Sequence, residues 1–312
     1  MKISYVIPCY CSAKTIESVV QEIKEKMQTI QDYVYEIILI NDSSPDNTFD
    51  VIKELCKKDN NIKGIGLAKN FGQHAALMAG FHQVTGDIIV CLDDDKQTPA
   101  DEVDKLIDKI EEGYDVVYAS YGNKRHSLFR NFGSKVNSLM TEYMLGKPKE
   151  LYISSYFAAK RFVVDEMMRY KNSYPYVIGL VLRTTRNICN VEVTHREREI
   201  GTSGYSLKKL LALWTNGFTS FSVLPLRLAT FSGVFAAGIG FLYAIWTIIK
   251  KIINPAVPVG WSSTIAIMLI LGGLILLVLG MIGEYIGRIY ISINDSPQYV
   301  IREELNTGRV EK

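Results

Sequence analysis

Hydrophobic and polar residues follow two different patterns along the 312-residue chain. In the first 120 or so residues, short uninterrupted apolar runs alternate with segments of helical spacing. Continuous apolar strands alternating with helices are typical of a parallel sheet covered on both faces, so the pattern predicts a doubly wound α/β domain. The predicted strands are residues 3–7, 36–40, 62–67, 87–92 and 115–119, and the predicted helices are residues 15–27, a stretch ending at 56, 75–83 and 101–110.

Two much longer apolar runs lie in the last third of the chain. Residues 228–249 and 261–283 contain no charged side chain, and a short loop with Pro255 and Pro258 separates them. As a helix, each run is long enough to cross a hydrocarbon core of about 30 Å at about 1.5 Å per residue. The sequence therefore predicts a transmembrane hairpin. Two helices buried in a large soluble core are the alternative, but such helices rarely lack charge for so many residues.

Charged residues around the hairpin predict its orientation. Basic residues on the flanking segments outnumber Lys250 and Lys251 in the loop, and they are Lys208, Lys209, Arg227, Arg288 and Arg302. Basic residues are enriched on the cytoplasmic side, and the N-terminus has no apolar signal-peptide core. We therefore expect a multi-pass protein of the inner (plasma) membrane. The expected parts are a cytoplasmic domain (1–206), a juxtamembrane amphipathic segment (207–227), the hairpin (228–283) and a cytoplasmic tail (284–312).

Overall charge and cysteine content narrow the class of protein. Lys and Arg number 35 against 33 Asp and Glu, giving a net charge of +2, so the composition does not indicate a nucleic-acid partner. The five cysteines are scattered without a Cys-x-x-Cys pair, which indicates neither a disulfide framework nor a zinc site.

Polar residues gather where the predicted strands end. Pro8–Tyr10 follow the first strand, Asn41–Asp46 follow the second, and Asp93–Asp95 follow the strand that ends at Leu92. Ligands of doubly wound sheets bind at the carboxyl ends of the strands. The sequence therefore places the functional site at this edge.

The three consecutive carboxylates repel one another, so a positive group is expected beside them. Side chains alternate along an extended segment, which places Asp93 and Asp95 on one face and Asp94 on the other. Two carboxylates with the amide oxygen of Gln97 form a hard-oxygen set suited to Mg²⁺ or Mn²⁺, which usually also bind substrate phosphate. We expect a metal carrying a nucleotide diphosphate. A solvated helix start at residues 98–101 is the alternative.

Successive motifs resemble those of family 2 glycosyltransferases with the GT-A fold. They are residues 6–10 (VIPCY), 41–48 (NDSSPDNT), 67–72 (LAKNFG) and 93–97 (DDDKQ). Residues 195–206 (HREREIGTSGYS), 258–261 (PVGW) and 283–290 (GEYIGRIY) are similar to elements of the polyprenyl-phosphate group, which includes dolichyl-phosphate mannose synthases and bactoprenol glucosyltransferases. Cys11, Lys96 and Ser296 depart from the usual pattern, which leaves the paired carboxylates intact but the sugar and the partners open.

The resemblance implies a metal-dependent, inverting transfer of a sugar from a nucleotide-diphosphate sugar to polyprenyl (undecaprenyl) phosphate at the cytoplasmic face of the bilayer, for cell-envelope glycan synthesis or modification. The metal ligands would be Asp93, Asp95 and Gln97. Donor contacts would come from Pro8, Tyr10, Asp42 and Asp94. Arg125 and Arg130 would bind the acceptor phosphate, and Arg198 either phosphate; with Asp93 and Asp95 these arginines form the expected catalytic set.

Three other interpretations stay open at the level of sequence. Transfer to a hydroxyl of a lipid-linked glycan or a protein would need a carboxylate base near the sugar. A non-catalytic membrane scaffold would not need the intact Asp93 and Asp95. For the basic loop around Arg125 and Arg130, simple attraction to anionic lipid is the alternative to phosphate binding.

Small residues on the first apolar helix predict assembly. Ser232, Ala236, Gly240 and Ala244 recur every fourth residue, and such a stripe allows another helix to approach closely. We expect a homo-oligomer, although small residues are also common in membrane helices.

Overall fold

A computed structural model describes residues 1–30, 32–121, 142, 146–194, 196, 224–253, 260–294 and 296–307. The chain divides into two compact units. One contains Met1–Leu211 together with the tail Asp295–Lys312, and the other contains Ala212–Asn294.

Each predicted strand and helix of the first 120 residues is present, with ends that differ by a few residues. The elements are β1 (Lys2–Cys9), α1 (Ile16–Thr29), β2 (Val34–Asn41), α2 (Thr48–Lys58), β3 (Ile62–Leu67), α3 (Gln73–Phe81), β4 (Ile88–Cys91), α4 (Val103–Glu111) and β5 (Val116–Tyr121). The same unit continues with β6 (Phe157–Lys160), α5 (Arg161–Met168), α6 (Val177–Thr184), β7 (Ile188–Val193) and the tail strand β8 (Ile301–Leu305).

The strands form one mixed sheet in the order β7-β5-β6-β4-β1-β2-β3-β8. Its centre, β4-β1-β2-β3, is parallel as the apolar pattern predicts. The pattern did not predict β6, which lies antiparallel between β4 and β5, or β8, which pairs antiparallel with β3. Both lack a strong strand signal, since β6 is a four-residue strand with two alanines and β8 carries three charged residues, as edge strands often do.

Helices cover both faces of the sheet. Alternate strand residues such as Tyr5, Leu39 and Val90 pack in a buried core with α1, α2 and α4. On the opposite face, α3 approaches the sheet so closely that a Cβ at Gly80 would lie 2.5 Å from a methyl of Val6. Only glycine fits there, because real Cβ atoms essentially never approach another heavy atom so closely. The first unit is therefore a three-layer α/β domain.

The tail returns to this α/β domain. The Ala68 backbone N–H donates to the Val300 carbonyl at 2.8 Å, and the Gln298 side-chain amide donates to the Tyr170 carbonyl at 2.6 Å. At its end, Asn306 donates to the carbonyls of Cys56 and Ile62 at 2.8 and 2.9 Å. The tail strand therefore belongs to the folded sheet of the domain.

The described part of the other unit forms two long helices, α7 (Leu224–Ile253) and α8 (Trp261–Ile293), which contact each other. Within the described part of the chain, one stretch is long and apolar enough to cross a membrane, Ile270–Ile291 of α8, with a mean hydropathy of 2.0. A shorter apolar stretch, Gly233–Tyr243, lies in α7. Many large apolar side chains on both helices are exposed, Phe231 and Met268 among them.

Candidate active site

The carboxyl ends of three neighbouring strands bring the predicted site residues together. Strand β1 lies between β4 and β2, with Val6 paired to Cys91 and Cys9 paired to Asn41. The end of β1 and the segments after β2 and β4 therefore share one edge of the sheet. They are Pro8–Tyr10, the turn beginning at Asp42 and the acidic triplet Asp93–Asp95.

Asp94 faces the turn after β1. Its carboxylate accepts the Tyr10 backbone N–H at 2.9 Å. Burial raises the pKa of Asp94, and the bond from Tyr10 opposes that rise. The Tyr10 side chain is 49 % exposed at the same turn. Asp94 thus fixes the backbone of a turn that presents an aromatic side chain to solvent.

Asp93 faces the other way, toward α3 and the segment before β6. One carboxylate oxygen accepts the Gln73 side-chain amide at 3.0 Å, and the other accepts the Ser155 hydroxyl. Burial, followed by the charges of Asp95 and Asp94, raises the pKa of Asp93 to about 6, while the bonds from Ser155 and Gln73 act in the opposite direction. Both hydrogen-bond donors are neutral, so they leave the charge of this carboxylate uncompensated.

Gln73 and Ser155 were missed by the sequence analysis. Gln73 directly follows the 67–72 motif at the start of α3, a position that could have drawn attention to it. Ser155 lies just before β6, a strand that the sequence pattern did not predict, so no local signal links it to Asp93.

Asp95 and Gln97 lie in one tight turn. The Asp95 carboxylate accepts the Gln97 backbone N–H at 3.1 Å, and Lys96 between them has a left-handed φ of 62°. Asp side chains commonly stabilise turns by binding the backbone two residues on. The structure therefore joins Asp95 to the backbone nitrogen of Gln97. The expected metal ligand is a different atom, the side-chain oxygen of Gln97.

The acidic edge suits a divalent cation that arrives with a substrate. Within the described residues, no group of three or more His, Cys, Asp or Glu side chains forms a complete metal cage. Mg²⁺ and Mn²⁺ do not need one, since Mg²⁺ is commonly held by one or two carboxylates together with substrate phosphates. The charge of Asp95 contributes to the raised pKa of Asp93, so the two carboxylates lie near each other, as a shared cation would require.

Asp42 is tied to the loop that precedes α3. Its two carboxylate oxygens accept the backbone N–H groups of Phe71 and Gly72 at 2.7 and 2.8 Å. Burial raises the pKa of Asp42, and these two bonds oppose the rise. Gly72 has a φ of 89°, which favours glycine, so the loop turns sharply at the carboxylate. Asp42 therefore holds the 67–72 motif at the site edge.

Two further contacts join the turn after β1 to the loop after β2 and to the start of α2. The Cys11 backbone N–H donates to the Ser44 hydroxyl at 2.9 Å, and the Ser12 backbone N–H donates to the Thr48 hydroxyl at 3.0 Å. Cys11 is exposed and has a left-handed φ of 58°. These contacts fix the backbone that directly follows Tyr10.

The expected phosphate-binding arginines are not part of this geometry. Arg125, Arg130 and Arg198 lie outside the described residues. Their assignment to acceptor or donor phosphate therefore stays a prediction.

Comparison with known families matches two models to the chain. The Glycosyl transferase family 2 model matches residues 4–168, and the GtrB C-terminal hairpin model matches residues 224–289. The first match covers the strands β1 to β6 and the acidic edge, and the second covers α7 and most of α8.

Curated relatives match along nearly the whole chain. The "Uncharacterized glycosyltransferase YkcC" of Bacillus subtilis is 36 % identical over 304 residues, covering 96 % of this chain and 93 % of the relative. The undecaprenyl-phosphate 4-deoxy-4-formamido-L-arabinose transferase of Proteus mirabilis is 34 % identical over 315 residues, covering 100 % of this chain and 96 % of the relative.

Solved structures share the fold at low sequence identity. Glucosyl-3-phosphoglycerate synthase from Mycobacterium tuberculosis, crystallised with Mn²⁺, UDP-glucose and phosphoglyceric acid, has a TM-score of 0.51 and 21 % identity over 68 % of this chain and 75 % of that one. A mycobacterial protein has a TM-score of 0.52 and 19 % identity over 69 % and 74 % of the two chains. The predicted fold class, a GT-A domain followed by a hairpin, is confirmed.

Proposed function

The chain belongs to glycosyl transferase family 2, and from that premise we propose that it transfers a sugar, with inversion, from a nucleotide-diphosphate sugar to polyprenyl phosphate. The observation that carries the proposal is Asp93, an acid held by neutral donors at the carboxyl edge of a GT-A sheet. The likeness to an undecaprenyl-phosphate sugar transferase over the whole chain, hairpin included, supports the choice of acceptor and a role in envelope glycan synthesis or modification.

We assign the divalent metal to Asp93, Asp95 and Gln97. A bound Mg²⁺ or Mn²⁺ would neutralise the charge that develops on the nucleoside diphosphate as it leaves. One fold neighbour was crystallised with Mn²⁺ and a UDP-sugar, which supports a metal of this class. Gln73 and Ser155 would keep the Asp93 carboxylate oriented, because each holds one of its oxygens.

The donor nucleotide would lie along the turn after β1 and the loop before α3. Asp94 fixes the Tyr10 backbone and Asp42 fixes the backbone of Phe71 and Gly72. We therefore assign Pro8, Tyr10, Asp42 and Asp94 to donor binding. Asp42 would act through a carboxylate whose oxygens each retain a lone pair beyond the backbone bond.

The acceptor is itself the nucleophile. A phosphate monoester is ionised at neutral pH, so a dedicated general base is not required, but positive side chains must bind it. We assign Arg125 and Arg130 to the acceptor phosphate and Arg198 to either phosphate, since Arg binds phosphate oxygens through paired donors.

The hairpin would anchor the protein where its lipid acceptor resides. Helices α7 and α8 match a family hairpin, and α8 contains the stretch long and apolar enough to cross a bilayer. A multi-pass topology in the inner membrane, a cytoplasmic catalytic domain and a homo-oligomer are parts of the proposal that follow from the flanking charges and the small-residue stripe.

The test is a transfer assay with defined substrates. Purified protein in detergent is incubated with undecaprenyl phosphate, Mn²⁺ or Mg²⁺ and a panel of nucleotide sugars, and the lipid fraction is analysed by mass spectrometry. We expect one sugar to appear on undecaprenyl phosphate, and no product with Asp93→Asn. Transfer only to a hydroxyl-bearing acceptor would replace the proposed acceptor, and no transfer from any donor would support a scaffold.

A further inference from the structure

The segment before β6 is fixed to the sheet by one asparagine. Asn190 of β7 accepts the Tyr152 backbone N–H through its side-chain oxygen at 2.8 Å. Its side-chain nitrogen donates to the carbonyl of Tyr152 at 2.7 Å and to the carbonyl of Tyr118 at 3.1 Å. The whole amide is therefore used to hold the backbone of one exposed residue against β5.

Two serines complete the attachment of this segment. The Ser154 hydroxyl lies 2.8 Å from the Ala119 carbonyl of β5 and 2.7 Å from the carbonyl of Tyr156. The next residue, Ser155, donates to Asp93. Residues 152–155 thus run from the end of β5 to the acidic edge along a fixed path.

The fixed path carries an exposed aromatic side chain. Tyr152 is 45 % exposed, whereas Tyr156 and Tyr118 are fully buried in the core. An exposed aromatic side chain held in place buries little apolar area within the domain. Such side chains on well-ordered loops are typical of binding surfaces. The arrangement therefore indicates a ligand contact at Tyr152.

A second tyrosine lies at the same place. Tyr121 ends β5 and is half-buried. Phe157 of β6 pairs with both Cys91 of β4 and Tyr118 of β5, so Tyr121, further along β5, lies toward the same edge as the acidic triplet. Burial first, and then Asp93, Tyr152 and Asp95, raise the pKa of Tyr121. Two tyrosines and two carboxylates thus border one region, on the β5 and β6 side of the acidic edge and away from the Tyr10 turn.

We propose that Tyr152 and Tyr121 form the subsite for the sugar ring of the donor, with Asn190 as the positioning residue. The proposal rests on the proposed function for the identity of the donor. A pyranose presents C–H groups on its faces and hydroxyls at its rim. The C–H groups pack on an aromatic ring, and the hydroxyls hydrogen-bond to polar neighbours such as Ser155. An uncharged hexose or pentose is the chemical class that fits.

The experiment separates the sugar from the nucleotide. Binding of UDP-glucose, UDP, GDP-mannose and GDP to the full-length protein in detergent is measured by calorimetry with Mn²⁺ and no acceptor. The analysis uses the sugar nucleotide that the unmodified protein binds more tightly and its parent diphosphate. Tyr152→Ala should weaken binding of the sugar nucleotide at least tenfold and change binding of the diphosphate less than twofold.

Tyr174 supplies a matched control, since its side chain is 46 % exposed. Tyr174→Ala should leave both affinities unchanged. An equal loss for sugar nucleotide and diphosphate in Tyr152→Ala, or no loss of either, would overturn the subsite.

Asn190 is tested through its dependence on Tyr152. Asn190→Ala should weaken binding of the sugar nucleotide several-fold in the unmodified background and change it less than twofold in Tyr152→Ala. A general structural role would instead lower binding of the diphosphate and add to the Tyr152→Ala effect. Because no acceptor is present, these results are independent of whether the sugar is later transferred to polyprenyl phosphate.

Discussion

Two acidic residues at opposite ends of the strands of the same sheet have different hydrogen-bond partners. Glu36, near the amino ends of the strands, is 2 % exposed and its carboxylate lies 2.9 Å from the ammonium groups of both Lys2 and Lys63. Asp93, beyond the carboxyl end of β4, is half-buried and is held by an amide and a hydroxyl. Within residues that the structure describes, two lysines neutralise Glu36 and no cation pairs with Asp93.

The pKa values follow this difference. Burial alone would raise the pKa of Glu36, but hydrogen bonds from Ser4, Lys63, Lys2 and the Thr85 backbone outweigh it and lower the pKa to about 2. At Asp93 burial and the neighbouring carboxylates prevail and raise the pKa to about 6. Buried carboxylates that contribute to stability are normally paired. A carboxylate such as Asp93, with no cationic partner among the described residues, therefore indicates a site for a positive group.

The largest expected effect is the loss of turnover in Asp93→Asn. The amide retains the shape but not the charge, so we expect a decrease in kcat of about 10³-fold, roughly 4 kcal/mol of transition-state stabilisation. Folding should not suffer, because no cation in the described part of the chain pairs with the charge that is removed. The measurements are sugar transfer and thermal unfolding. A destabilised variant with normal turnover per folded molecule would show that Asp93 contributes to stability and not to turnover.

Glu36→Gln should show the opposite pattern. The pKa of Glu36 is lowered from 4.5 to about 2, which corresponds to about 3 kcal/mol of stability. We expect the thermal midpoint to fall by roughly 5–10 °C while KM for the donor is unchanged. Glu54→Gln, an exposed residue paired with Lys57, is the control and should shift the midpoint little.

The pH dependence of the Glu36 contribution has a definite sign. Because the pKa of the folded state is lower than that of the unfolded state, the contribution is fully present above about pH 4.5. It is lost as the pH falls toward 2. The gap in thermal midpoint between the parent protein and Glu36→Gln should therefore narrow over this range, and a gap that is constant with pH would contradict the assignment.

We expect the C-terminal tail, like Glu36, to contribute to stability and not to catalysis. Asn306 donates to two backbone carbonyls and has a left-handed φ of 56°, so Asn306→Ala removes both bonds and introduces strain. We expect a loss of about 2 kcal/mol, seen as a lower thermal midpoint, with kcat unchanged. A lower kcat without destabilisation would show that the tail contributes to catalysis and contradict this expectation.

The smallest expected effect is a change in thiol labelling at the acidic edge. Cys11 is exposed beside Tyr10, and its pKa is raised by burial and by the charges of Asp46 and Asp94, so alkylation at pH 8 should be slow but measurable. The nucleoside diphosphate with Mn²⁺ should slow it several-fold. Labelling of Cys189, the half-buried cysteine of β7, should be unaffected. Equal rates at Cys11 with and without nucleotide would place the donor elsewhere.

Much of this edge could be predicted because it depends on local sequence. Apolar runs mark the strands, and the residues that follow them must meet where parallel strands end, so the position of Asp93–Asp95 beside Tyr10 follows from the pattern. Alternation also predicted that Asp93 and Asp94 face opposite ways, and the structure has Asp94 on the β1 turn and Asp93 on α3.

The rest depends on contacts between distant parts of the chain. Ser155 reaches Asp93 only because β6 inserts antiparallel between β4 and β5, and Asn190 reaches Tyr152 only because β7 pairs with β5. The position of Asp42 after a strand predicts a ligand contact, but its oxygens also hold the loop before α3. The local sequence does not indicate which way this carboxylate faces.

The most direct test of the difference between the two edges is binding of Mn²⁺, followed by electron paramagnetic resonance. The parent protein should bind one Mn²⁺ per chain, more tightly with the nucleoside diphosphate present, and Glu54→Gln should behave identically. The double variant Asp93→Asn, Asp95→Asn should remain folded and lose this binding. Mn²⁺ bound by the double variant as tightly as by the parent protein would contradict a cation site at the acidic edge.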